Sequence, residues 1–302
     1  MDRLIELLQS QPYILGDGAM GTMLQAAGLT TGGSPEEWNA THPEVVKGIY
    51  QHYADAGSQV ITTNSFGGNR FRLALHGFEG RVRELNMAAA RLAREVADAS
   101  PHVVLIAGSM GPTGDILAPL GTREPSDAQA AYAEQAAALA EGGVDFLLIE
   151  TMSALDEVQA AIQGIRSSTD LPVAVTMTFD TRFRTMMGVR PVQAAEVLAG
   201  LGIRAFGANC GNGPDEIVRV MSEIAAARPS GMYLIAQSNA GLPKYQDKKI
   251  RYDGTPQVMA EYATKMKEMG INYIGGCCGS TPEHIAAMGA ALLLPQSLHL
   301  PI

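Results

Sequence analysis

Short apolar runs alternate with segments of helical period along the whole chain, and that alternation predicts the fold. The apolar runs lie near 13–17, 59–64, 103–109, 145–150, 172–178, 204–210, 232–238 and 272–277. They are continuous, as in Val103-Val104-Leu105-Ile106-Ala107 and Phe146-Leu147-Leu148-Ile149. Strands of this kind are buried on both faces, as in a parallel sheet covered by helices. Helix-period segments fall between them at 42–56, 80–99, 126–142, 154–168, 191–201, 213–227, 255–269 and 281–292. Ser126 with Gln129 three residues on reads as a capping box. Thr255-Pro256 and Thr281-Pro282 place a cap residue before a first-turn proline. Glycine closes several segments, at Gly57, Gly142-Gly143, Gly202 and Gly270. Eight β-then-α units predict an α/β fold, a single (β/α)8 TIM barrel with a short N-terminal helix. Its core spans about 10–292, and no composition break divides residues 1–302. An open doubly wound sheet is the competitor. No Gly-x-Gly-x-x-Gly turn follows the first strand, which counts against its dinucleotide-binding version.

Charge and composition narrow the function. The net charge of −9 lacks the basic footprint of a nucleic-acid binder. No stretch approaches the roughly 20 apolar residues that cross a membrane. The opening Met1-Asp2-Arg3-Leu4-Ile5-Glu6-Leu7-Leu8 carries acids within its apolar run and reads as an amphipathic helix, not a signal peptide. A cytoplasmic setting is therefore expected. Thiols stay reduced there, so clustered cysteines lean towards metal binding or catalysis.

The ends of the strands carry polar residues, and the C-terminal strand ends of such barrels hold the active site. The first strand ends in Asp17-Gly18-Ala19-Met20 and the second in Thr63-Asn64-Ser65-Phe66-Gly67. The third ends near Ser109 and the fourth in Glu150-Thr151-Met152. The sixth ends in Asn209-Cys210-Gly211, the seventh in Ser238-Asn239, and the eighth in Gly275-Gly276-Cys277-Cys278-Gly279. Cys210, Cys277 and Cys278 are the only cysteines. Three protein ligands with one open position are the pattern of a catalytic zinc site. Two other readings stand beside it: buried thiols as small apolar side chains, and a vicinal Cys277–Cys278 disulfide with redox chemistry. Adjacent cysteines in a regular strand would face opposite ways, but flanking glycines relax that limit.

Asp17 and Glu150 form a second constellation. Glu150 follows four apolar residues and should face the barrel mouth. Two carboxylates beside a thiol cluster could clasp a cationic group such as an ammonium. A glycosidase-type acid–base pair leaves the thiols unexplained. The six histidines are scattered and read as surface or cap residues, and Trp38 as packing at a helix entry.

These motifs, in this order, resemble the homocysteine S-methyltransferases over roughly residues 10–292. The resemblance implies a (β/α)8 barrel with Zn2+ on Cys210, Cys277 and Cys278. It implies that Asp17 and Glu150 hold the homocysteine amino group, with the backbone around Gly18, Ala19 and Met20 near its carboxylate. Ser109 and Asn209 are further substrate contacts on this reading, and Asn239 approaches the metal when substrate is absent. The implied reaction makes methionine by attack of a homocysteine thiolate on a methyl donor. The Asn64-Ser65-Phe66-Gly67 run is most like the homocysteine-binding module of cobalamin-dependent methionine synthase, with Ser65 where threonine is usual. The betaine enzymes use a tyrosine where this chain has Gly67. No Asp-x-His-x-x-Gly corrinoid motif is present, so methylcobalamin is expected on a separate corrinoid protein, or a folate-binding methyltransferase supplies the methyl group. S-methylmethionine, S-adenosylmethionine or betaine are the alternative donors. Loops 179–190 and 240–254 each carry a net +2 and are candidate docking surfaces for such a partner. A non-catalytic module binding zinc and homocysteine within a larger assembly, and a thiol–disulfide protein, are the competing classes.

Overall fold

A computed structural model describes residues 2–246 and 249–293. Helix α1 (Arg3–Ser10) leads into β1 (Ile14–Leu15). Two short helices, α2 (Met20–Ala26) and α3 (Trp38–Thr41), precede α4 (Pro43–Asp55), β2 (Val60–Thr62), α5 (Arg70–Ala74) and α6 (Val82–Ala99). Strict alternation follows: β3 (Leu105–Met110), α7 (Pro125–Gly142), β4 (Phe146–Met152), α8 (Leu155–Ser168), β5 (Val173–Met177), α9 (Pro191–Gly200), β6 (Ala205–Cys210), α10 (Pro214–Ala226) and β7 (Tyr233–Ser238). A hairpin, β8 (Pro243–Gln246) and β9 (Lys249–Tyr252), comes before α11 (Pro256–Glu268), β10 (Tyr273–Gly276) and α12 (Pro282–Leu293).

The eight-stranded sheet runs β1-β10-β7-β6-β5-β4-β3-β2, with all neighbours parallel. Between β1 and β2 the Gln59 amide donates to Leu15 O at 2.8 Å, and the Leu15 amide donates to Gln59 Oε1 at 3.2 Å. These contacts bring the sheet's ends together as a nearly closed (β/α)8 barrel, and the open doubly wound alternative falls.

Both faces of each strand are buried, which explains the continuous apolar runs. Phe146 and Leu148 point into a cluster with Val60, Ile235 and Tyr273, while Leu147 and Ile149 pack outward under the helices. Leu4, Ile5 and Leu8 of α1 join the inner cluster and close the N-terminal end. The predicted N-terminal helix is thus a plug. The Asp2 side chain caps it, accepting from the Ile5 amide at 3.0 Å.

The turn chemistry mostly follows the sequence. Gly57, Gly143, Gly202 and Gly270 have positive φ just past their helices. Thr255 caps α11 by accepting from the Val258 amide at 3.3 Å. Thr281 bonds His284, whose other ring nitrogen meets Gly254 O at 2.8 Å, so this histidine is a buried cap. Ser126 is a correction. Pro125 takes the first turn of α7 and Glu124 the cap position without a side-chain bond, so no capping box forms there. Trp38 opens α3 and stacks on His42 at 4.2 Å, the expected packing role. Among the described residues no helix is long and apolar enough to cross a membrane.

Candidate active site

The cysteines meet at the ends of β6 and β10, which flank β7. Ser238 of β7 is in register with Cys210 on one side and Gly276 on the other. Cys277 and Cys278 lie just past β10 in a turn, so the opposite-face rule for strand residues does not bind them. The Cys277 amide donates to Ser238 O at 2.7 Å, and Cys278 O accepts from the Ala240 amide at 2.9 Å. Cys210 has φ 65°, a left-handed conformation that non-glycine residues hold only where the surroundings demand it. Gly279, at φ 81°, leaves room for the Tyr252 ring, whose Cγ lies 2.3 Å from where a Cβ would stand.

The three sulfurs lie within 4.8 Å of one another, with Cys210 Sγ and Cys278 Sγ 3.9 Å apart. Tetrahedral zinc with Zn–S bonds of about 2.3 Å separates its sulfurs by about 3.8 Å. Spacing and donor chemistry therefore both fit a thiophilic ion. All three cysteines are free thiols. Hydrogen bonding among the three thiols holds Cys278 well below the usual thiol range, and hydrogen bonding within the cluster together with burial pushes Cys277 well above it.

Beside the thiols lies a cavity of about 430 Å³, lined by Asp17, Glu150, Gln237 and all three cysteines among others. Asp17 is only 3% exposed, and its carboxylate accepts from Thr62, from the amide at 2.6 Å and from Oγ1 at 2.9 Å. Glu150 accepts from Ser109 Oγ and from Asn209 Nδ2, the latter at 3.4 Å. Neither carboxylate belongs to an ion pair among the described residues. Burial raises both to about 7, against the lowering pull of their hydrogen bonds.

The other expected contacts divide. Gly18, Ala19, Met20 and Ser109 line the cavity, but the Ala19 amide already donates to Ser280 O at 3.1 Å. Asn209 is fully buried and does not line the cavity. It stands behind the wall, donating to Thr151 Oγ1 at 2.7 Å, accepting from the Thr151 amide at 2.9 Å, and reaching Glu150 and Cys277 Sγ. Asn239 donates to Gly211 O at 2.6 Å, and its Oδ1 is buried without a partner. In the 240–254 loop Lys244 is paired with Asp253 at 2.6 Å, and Lys248 lies outside the described residues.

Sequence reasoning passed over Thr62, Glu36 and Gln237 in the cavity wall and Tyr252 over Gly279, while Phe66, quoted in a strand-end motif, also lines the wall. Gln237 carried the one available signal, an amide directly after the apolar run Leu234-Ile235-Ala236.

A (β/α)8 barrel with three thiols and two cation-free carboxylates at its strand ends defines a class of thiol-handling enzyme. Residues 14–292 match the family model for homocysteine S-methyltransferase, and the chain belongs to that family of methyltransferases. It is 35% identical over 304 residues to methionine synthase of Mycobacterium tuberculosis and 34% identical to that of Mycobacterium leprae. Each match covers 96% of this chain, which spans a quarter of those relatives. The metallated crystal structure of the homocysteine methyltransferase MmuM from Escherichia coli superposes with a TM-score of 0.80 at 25% identity, covering 95% of this chain and 99% of MmuM. A methyltransferase from Methanosarcina mazei, at 14% identity and a TM-score of 0.59, shares the fold.

Proposed function

We propose that this barrel is the homocysteine-binding domain of a zinc-dependent S-methyltransferase that makes methionine. The observation that carries the reading is the convergence of Cys210, Cys277, Cys278, Asp17 and Glu150 on one cavity. Zinc held by the three cysteines would lower the pKa of a substrate thiol and take its sulfur into the position the protein ligands leave open.

This chain's own residues do the rest. Asp17 and Glu150, once ionised, hold the substrate ammonium, and Thr62, Ser109 and Asn209 fix their directions. Asn209 also reaches Cys277, so the amino-group site and the thiol cluster share one rigid support. The substrate thiol gives its proton to solvent. Its sulfur forms a bond to the donor's methyl carbon as the donor–methyl bond breaks, and the electron pair of that bond leaves with the donor. Positioning of this kind can supply several kcal/mol of the barrier.

The methyl donor in this proposal is methylcobalamin on a corrinoid partner, in line with the similarity to methionine synthases over 96% of the chain. Loops 179–190 and 240–254 are the proposed docking surfaces. A second reading, a small sulfonium donor such as S-methylmethionine, is favoured by Phe66 and Glu36, an aromatic ring and a carboxylate in the cavity wall. A betaine site is disfavoured, because glycine stands at position 67 and supplies no tyrosine ring. The test is a zinc-loaded assay with homocysteine against methylcobalamin, S-methylmethionine, S-adenosylmethionine, methylfolate and betaine. Methionine should form with methylcobalamin. Homocysteine binding without methionine from any donor would mark a non-catalytic module, and metal-free activity a thiol–disulfide protein.

A further inference from the structure

Each sulfur of the cluster meets a neutral donor besides the other thiols. The Gly211 amide serves Cys210, and Asn209 Nδ2 lies 3.9 Å from Cys277 Sγ. Both donors come from β6 or the residue just past it. Cys278 is served differently. Besides its own amide, its sulfur is hydrogen-bonded by the side chain of Tyr252, the last residue of β9. This donor comes from the β8–β9 hairpin and not from a barrel strand.

The backbone holds the tyrosine in that place. Tyr252 pairs with Pro243 across the base of the hairpin. Just beyond, the Gly254 amide donates to Ala240 O at 2.8 Å, and the Ala240 amide donates to Cys278 O at 2.9 Å. The root of the hairpin is therefore tied to the backbone of the same cysteine that its side chain meets. His284 fixes the root from the other side through Gly254 O at 2.8 Å. Gly279, directly after Cys278, makes the approach possible. A Cβ there would stand 2.3 Å from Tyr252 Cγ and 2.5 Å from its Cβ. The ring is partly buried against the main core, a space that phenylalanine would fill equally well. Packing accounts for the ring, and only the sulfur accounts for the hydroxyl.

We propose that Tyr252 is a positioning residue for Cys278, its hydroxyl fixing the direction of the sulfur from outside the cluster. The proposal rests on the zinc reading above. It goes further in making the hairpin part of the metal pocket. A neutral tyrosine donates its O–H to a thiolate. Three thiolates outweigh the charge of one divalent ion, and this donor draws off part of the excess at Cys278. Outer partners of this kind orient a metal ligand and tune its electron density.

The test compares wild type with Tyr252→Phe, which keeps the ring over Gly279 and removes only the hydroxyl, and with Tyr252→Leu, which removes the ring as well. Zinc affinity is measured by competition with a chromophoric chelator. The cobalt(II)-substituted proteins are compared by their sulfur-to-metal charge-transfer bands. Tyr252→Phe should weaken zinc binding about 10-fold, the low end for loss of an outer partner. Its charge-transfer band should move to longer wavelength, because a sulfur without its hydrogen bond gives up electron density more readily. The metal-free Tyr252→Phe protein should melt with wild type, and Tyr252→Leu below it. Unchanged zinc affinity and an unmoved band in Tyr252→Phe would leave the ring as packing alone and overturn the proposal. So would a weaker zinc affinity that comes with an unmoved band and a lower metal-free melting temperature, the mark of a structural role. A wild type that binds no zinc removes the zinc reading itself, an outcome distinct from a wild type that binds zinc no better than its Tyr252→Phe variant.

Discussion

Buried carboxylates stand at both ends of this barrel, and the two ends treat them differently. At the N-terminal end Asp145 meets Arg3 of α1, Arg94 of α6 at 2.9 Å and the Ile106 amide at 2.8 Å. The chain supplies its own counter-charge there, and the carboxylate ties two helices to the strands. At the C-terminal end Asp17 and Glu150 receive only neutral donors among the described residues. A buried charge without a cation is costly, and burial holds both carboxyls near 7; on the proposed reading, the substrate ammonium supplies the missing charge. On that reading one residue type serves stability or binding according to who brings the partner.

The comparison breaks hardest at the thiols. Cys277→Ser should reduce bound zinc per chain and cut methyl transfer by more than the roughly 100-fold typical of losing a metal's outer partner. Metal analysis beside a methionine assay reads both, and full activity with normal zinc would sink the ligand assignment. Next come the carboxylates themselves. Glu150→Gln should weaken homocysteine binding by about 10- to 100-fold without loss of stability, and Asp17→Asn should weaken it likewise with a small stability loss from one Thr62 bond. Asp145→Asn should do the reverse. It keeps homocysteine affinity and lowers stability, by less than the roughly 3–5 kcal/mol of a fully buried pair because Arg3 is half exposed. Paired denaturation and binding measurements decide it, and identical profiles would erase the distinction between the two ends.

pH sharpens the contrast further. Asp17 and Glu150 sit near 7 in the folded protein, above their ordinary values. A raised folded pKa means tighter proton binding in the native state. Their contribution to stability is therefore full below the ordinary carboxylate range and is lost as pH rises through about 7. Ammonium binding needs the ionised forms. Homocysteine affinity should rise through the same window, with protons released on binding. Calorimetry in two buffers of different ionisation enthalpy measures this, and proton uptake would contradict it. The smallest effect concerns caps. Thr255→Ala should cost about 1 kcal/mol, and Ser126→Ala, which removes no cap bond, less than about 0.5 kcal/mol.

The fold was legible because periodicity is a local signal. Apolar runs buried on both faces and helices ending at glycine put every barrel strand and its following helix close to their observed places. The short α2, α3 and α5 and the β8–β9 hairpin were not marked, since they sit in loops where no long period develops. The cysteines, Asp17 and Glu150 were legible because strand ends announce the mouth of a barrel. What sequence could not give was direction. Asn209 has the composition of a contact residue but turns behind the wall to brace Glu150 and Thr151. Gln237 drew no notice in the sequence, since one amide after an apolar run gives no direction. Ser126 matched a capping spacing, but Pro125 had already taken the first turn.

Asp17 also touches the weakest join in the barrel. The Thr62 amide donates to its carboxylate across the β1–β2 seam, where the Gln59 contacts stand in for a full ladder. The carboxylate proposed to hold the ligand is therefore also a stitch in the hoop. On that proposal an arriving cation competes for the electrons that hold this stitch. The Thr62 amide thus becomes a built-in reporter, whose hydrogen-exchange rate should shift on ligand arrival while the sealed floor under α1 stays silent.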